Sequence, residues 1–112
     1  MTTPLIVSRT SRSGSLINLV SADTVNGNSF PNDGATYLVL DNKQGLASVT
    51  VTIPVVGHAD IDLPISNRQY TLNAGDVICA GPFDKYLYND QDGNASFQAS
   101  GPLIVAPLSI LN

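Results

Sequence analysis

The stretch Ser48-Val49-Thr50-Val51-Thr52-Ile53 alternates polar and apolar residues without a break, and nothing else in the chain restricts its fold so tightly. A period of two puts Val49, Val51 and Ile53 on one face of an extended strand and the hydroxyl residues on the other, which predicts a half-buried antiparallel strand. Weaker runs of the same kind occur at 16–20, 36–41, 68–73, 76–80, 95–99 and 103–110. Each is bounded by Gly, Pro, Asn or Asp, and turn signals recur about every eight to twelve residues, the spacing of a sandwich or barrel. No segment keeps a 3.6-residue apolar period over a dozen positions, so helices should be short or absent.

Composition points the same way. All nine acidic residues are Asp and none is Glu, against five Lys and Arg. The charged helix formers are therefore nearly missing and a turn former takes their place. The net charge of −4 repels phosphate backbones, which argues against direct binding to DNA or RNA. With 112 residues, 43% of them hydrophobic, the chain has material for one domain with a real core. No stretch approaches the ~20 apolar residues that span a bilayer. The first fifteen residues lack the apolar segment of a signal peptide, so synthesis in the cytoplasm is expected. One cysteine, Cys79, excludes an internal disulfide framework. The expected architecture is an all-β antiparallel sandwich, jelly-roll-like, over residues 15–112, with residues 1–14 as a short extended N-terminal arm. In that arm Arg9 and Arg12 stand among Ser and Thr and are followed by Gly14.

The connections carry their own signals. In 26–35 almost every residue is a turn former: Gly27 and Gly34 suit positive φ, and Asn26, Asn28, Asn32 and Asp33 can satisfy their own backbone. This reads as a turn-rich crossover. Phe30 is its one apolar ring, either a plug into the core or a contact for a partner. Gly75 marks a tight turn after 68–73, and Asp92-Gly93 is the dipeptide favoured in type I′ hairpins. Pro54, Pro64, Pro82, Pro102 and Pro107 should sit at strand ends or edges, with Pro107 at a bend or edge. The closing run 102–111 is apolar on both faces, which suits a strand buried between sheets or subunits.

Residues that could carry chemistry have plainer readings. His58 is the only histidine, with Asp60 and Asp62 near it, yet no nucleophile elbow accompanies it, so it reads as a loop residue. Cys79 falls in the apolar run Val77-Ile78-Cys79-Ala80 and is expected to be buried as a small hydrophobe. Asp90, Asp92 and Asn94 open like a calcium loop, but the glycine at position six and the glutamate at twelve are replaced by Ala95 and Gly101. Tyr37, Tyr70, Tyr86 and Tyr88 read as core and rim residues. No catalytic, cofactor-binding or metal-binding residue is assigned, and no cofactor is expected.

Taken together, the segments GNSFPNDGATYLVLDN, VTVTI, NAGDVICAGPF and YNDQDGN, with a closing strand through 106–108, resemble small head proteins of tailed bacteriophages. The likeness covers most of 26–110, including Ala74-Gly75, the Gly81-Pro82-Phe83 connection and the Tyr88-Asn89 turn. Such proteins look like capsid decoration, or cement, proteins, which bind the outer surface of the major capsid protein lattice and stabilise the head. The resemblance implies a virion protein at the capsid surface, no enzyme activity, the major capsid protein as partner and a homo-oligomer, with a trimer suiting threefold positions and a dimer as the other arrangement. Leu5, Ile6 and Val7, with Arg9 and Arg12, would then add a strand to a capsid edge and pair with acidic groups. Phe30 is the remaining candidate contact. The rival reading is a neck, tail or fibre-associated sandwich that binds a protein or carbohydrate, resting on Tyr37, Tyr86 and Tyr88.

Overall fold

The computed structural model describes residues 2–56 and 67–110, and His58, Asp60, Asp62 and Pro64 lie outside the described residues. The alternating stretch forms strand β6 (Val49–Ile53), whose valines and isoleucine are buried while Thr50 and Thr52 stay half-exposed. Nine more strands are present among the described residues: β1 (Thr3–Pro4), β2 (Ser8–Arg9), β3 (Val20–Ser21), β4 (Asn28–Pro31), β5 (Thr36–Asp41), β7 (Arg68–Leu72), β8 (Val77–Ala80), β9 (Asn94–Ala99) and β10 (Ile104–Ser109). One short helix, α1 (Lys85–Tyr88), completes them. Asp84 caps it, its carboxylate accepting from the Tyr86 N–H at 2.7 Å.

Four antiparallel pairs are nested one inside the next: β6 with β7, β5 with β8, β4 with β9, and β3 with β10. The pairs β5·β10 and β6·β9 join them laterally. The result is two five-stranded mixed sheets, one in the order β1-β4-β9-β6-β7, the other β2-β10-β5-β8 with β3 also on β10. One core fills the space between them, with Phe30, Val51, Leu72 and Phe97 from the first sheet meeting Leu38, Leu40 and Val105 from the second. Phe30 packs 6.0 Å from Phe83 and 6.1 Å from Phe97, and Phe83 meets Tyr88 edge-on at 5.9 Å. Truncating a buried phenylalanine of this kind typically costs about 3–5 kcal/mol.

Several expectations change. The eight strands from β3 to β10 pair antiparallel, but β1 runs parallel to β4 and β2 parallel to β10, so the sheets are mixed. The segment read as an arm is thus stitched into both sheets of its own chain, because Leu5 between those strands is apolar enough to be buried in the core. Of the run at 16–20 only Val20 pairs; Leu16, Ile17 and Leu19 are exposed. Within the turn-rich crossover, residues 28–31 are a strand, since pairing with β9 sets Phe30 across from the small Ala95 and outweighs local turn propensity. Cys79 is exposed, because on β8 it is Ile78 and Ala80 that turn toward the core. Asp92-Gly93 is no type I′ hairpin: only Gly93 has positive φ (81°), and the turn joins α1 to β9. The Gly75 turn likewise crosses from one sheet to the other.

Pro107 lies inside β10, paired with Leu38, and is fully buried. The carbonyls of Leu103 and Ser109 accept from the N–H groups of Ala22 (2.8 Å) and Thr10 (3.1 Å). Odd-numbered residues of β10 therefore turn their backbone polar groups toward β2 and β3. Those strands pair at 108–109 and 104–105, leaving a gap beside Pro107. Its missing N–H deprives no partner, so the expected edge is a local gap.

Candidate functional site

The antiparallel order gathers the connections 22–27, 42–48, 73–76 and 100–103 at one end of the molecule. Buried asparagines fix two of them. Asn28 is fully buried, accepts from the Asp23 N–H at 2.9 Å and donates back to the Asp23 carbonyl at 3.2 Å. Asn42, also buried, donates its amide to the carbonyls of Ala47 (3.0 Å), Leu72 (3.3 Å) and Asn73 (3.1 Å). Its own carbonyl accepts from Gly45 (3.0 Å) and Gly75 (2.9 Å), while its N–H donates to the Asp76 carbonyl (2.8 Å). One residue thus ties the loops 42–48 and 73–76 to each other and to the end of β7. Asn can do this because its side-chain amide adds two N–H donors to the donor and acceptor of its backbone.

Each pinned loop lifts an aliphatic side chain into water: Leu46 is 99% exposed and Val25 is 85% exposed. Between the loops runs a cleft of about 270 Å³ lined by Ala22, Asn42, Gly45, Pro102 and Leu103 among others. The Asp23 carboxylate braces the Val25 loop. The backbone N–H of Asn26, then the Thr3 hydroxyl at 2.5 Å, then the Val25 N–H hold its carboxyl far below its ordinary 3.8. These loops are braced by hydrogen bonds and their tips are apolar, a combination that suits contact with another protein surface.

The other end is organised around Asn32 and Asp33. Asn32 donates to the Phe83 carbonyl (3.0 Å) and to Asn89 Oδ1 (2.8 Å), and Asn89 donates back to the Asn32 carbonyl (2.8 Å), locking α1 beside β4. Asp33 accepts from the Ala35 N–H (2.8 Å) and the hydroxyls of Thr36 (2.8 Å) and Ser109 (2.7 Å), with the Arg9 guanidinium 3.7 Å away. Burial alone would raise the Asp33 carboxyl; Ser109, Ala35, Thr36 and Arg9 outweigh it and hold it below 3.8. The Asp90 carboxylate closes its own turn by accepting from Asp92 (2.9 Å) and Asn94 (3.1 Å). Among the described residues no three His, Cys, Asp or Glu side chains converge as metal ligands do.

The sequence-expected contact residues are scattered by this arrangement. Leu5 is buried and Val7 half-buried; Ile6 is exposed. Arg9 pairs with Asp33 of its own chain, and Arg12 is exposed in the connection from β2 to β3. Phe30 is fully buried, which makes it a core plug and removes its ring from any partner surface. Tyr88 is buried against Phe83 while Tyr86 is exposed, so Tyr37, Tyr86 and Tyr88 do not share a sugar-stacking face. Val25 and Leu46 were missed by sequence reasoning. Their signal is slight: an aliphatic residue standing nearly alone among turn formers, outside any strand pattern. Comparison of the chain with protein-family models, with curated proteins and with solved structures gave no match.

Proposed function

We propose that this protein is a structural component of a bacteriophage head, a decoration protein that docks on the major capsid protein lattice through the end bearing Val25 and Leu46. The observation that carries the reading is the display of those two side chains on loops fixed by buried Asn28 and Asn42. Burying one such side chain yields about 1.5–3 kcal/mol, and pre-fixed loops lose little entropy on docking. Many copies on a lattice then convert modest single contacts into tight retention.

The strand order supports a jelly roll. Numbered one to eight from β3, the strands run 1-8-3-6 in one sheet and 2-7-4-5 in the other, the pattern of a single long hairpin rolled upon itself. That architecture occurs in viral capsid domains, and also in lectins, so it supports the setting without fixing the role. The sequence resemblance to small phage head proteins supplies the rest.

The test uses shells lacking the protein. Adding the double variant Val25→Asp, Leu46→Asp should lower occupancy at least tenfold, since each lost burial is worth about a decade in affinity or more. Unchanged occupancy overturns the docking end. Imaging the particle tests the location: copies spread over the shell fit decoration, and a ring confined to one vertex overturns it in favour of a neck component.

A further inference from the structure

We propose that the loop 10–19, between β2 and β3, is the element by which one copy of this chain docks on a second copy. The inference goes beyond the homo-oligomer that the resemblance implies by assigning the surface, and it concerns a different surface and a different partner from the capsid-docking end. The loop leaves β10 beside Ser109 and returns beside Val105, so it projects from the sheet edge. Every residue from 11 to 19 is exposed. Leu16 is 95%, Ile17 45% and Leu19 52% exposed, three branched aliphatics within four positions. Single exposed apolar residues are ordinary on a protein surface, but a contiguous group marks an interaction site.

The loop is also held in shape. At its root the Thr10 N–H donates to the Ser109 carbonyl (3.1 Å) and the Asn18 N–H to Ser8 Oγ (2.9 Å). At its tip the Gly14 N–H donates to the Ser11 carbonyl (3.2 Å), Ser11 Oγ to the Gly14 carbonyl (3.0 Å) and Ser15 Oγ to Ser11 Oγ (3.0 Å). Gly14 closes this turn at a φ of 88°, where a side chain would be strained. Shape is thus set before any partner arrives, which lowers the ordering cost of association.

Charge identifies the occupant. The loop contains Arg12 and no acidic residue, while Arg9 at its root is paired with Asp33 of the same chain. The rest of the chain sets nine aspartates against four cations, Arg9, Lys43, Arg68 and Lys85, a net −5. A basic, apolar projection is therefore complementary to the acidic body of another copy of the same chain. Loop and body are different patches, so the contact is head-to-tail and closes into a ring where the rotation allows.

Sedimentation of the full chain over a range of concentrations tests this. The wild type should self-associate, and the association should weaken at least tenfold as ionic strength rises from about 0.02 M to about 0.5 M. The variant Leu16→Asp, Ile17→Ser should be monomeric with an unchanged denaturation midpoint, and Arg12→Glu should weaken association at low salt. A wild type that stays monomeric at all concentrations, or a loop variant that still associates, overturns the proposal. So does a monomeric wild type whose loop variant loses capsid occupancy, since the loop would then face the capsid. Loss of occupancy in the Val25, Leu46 variant with association intact bears on the capsid reading alone.

Discussion

Asn42 shows how one side chain can hold a loop system together. Its amide serves three carbonyls while Gly45 leaves room for it: a Cβ at Gly45 would sit 1.9 Å from Asn42 Oδ1. Asn42→Ala strands buried carbonyls and should destabilise the fold by about 2–4 kcal/mol in chemical denaturation. Gly45→Ala should cost a similar amount by pushing the same amide out of place. Because both act through one network, the double variant should cost clearly less than the sum of the two, and additive losses would show that the network is not shared. The sequence shows an Asp41-Asn42 pair closing a strand, which marks a turn. That Asn42 would reach carbonyls thirty residues away is a property of the assembled sheets, not of local spacing.

At the scale of elements, the N-terminal segment matters most. Read from the sequence it is an arm for a neighbour; in the structure β1 and β2 extend the chain's own sheets and carry Leu5 into the core. Deleting residues 2–9 should therefore lower stability by at least the ~2–5 kcal/mol of a lost core leucine, seen as a lower denaturant midpoint. An unchanged midpoint would return the segment to the role of a free arm. The alternating strands β6 and β9 were legible because alternation alone sets which face is buried. Strand β4 was not, because Asn28, Ser29 and Pro31 are turn formers and only the partner strand β9 draws them straight. Cys79 was misplaced for a related reason: its run is apolar at every position, so no period said which face turned inward.

For the whole molecule, acid stability follows from the two braced carboxylates. Asp23 and Asp33 both titrate below 3.8 in the folded chain, whereas the unfolded chain takes up protons near the ordinary value. At acidic pH the unfolded state binds more protons, so these groups stabilise the fold fully above their unfolded pKa and lose that contribution as pH falls through the folded values. Thermal midpoints should be flat from about pH 7 to pH 5 and decline below about pH 4. Asp33→Asn should lower the plateau and flatten the decline; a decline as steep as that of the wild type would place the acid sensitivity elsewhere. The nested pairing of β3 with β10 around three inner pairs also joins sequence-distant segments, an arrangement that favours slow folding.

The sequence by itself determined that this chain is nearly all β, where six of its principal strands run, and that Val49, Val51 and Ile53 face inward. Those properties are local, since a period of two and the punctuation of Gly, Pro, Asn and Asp act within a few residues. Only the tertiary structure decided that residues 3–9 belong to the sheets, that Phe30 fills the core, and that Val25, Leu46 and the loop 10–19 stand in water. Burial depends on which strands become neighbours, and sheet pairing between distant segments has no signature in the spacing of residues along the chain.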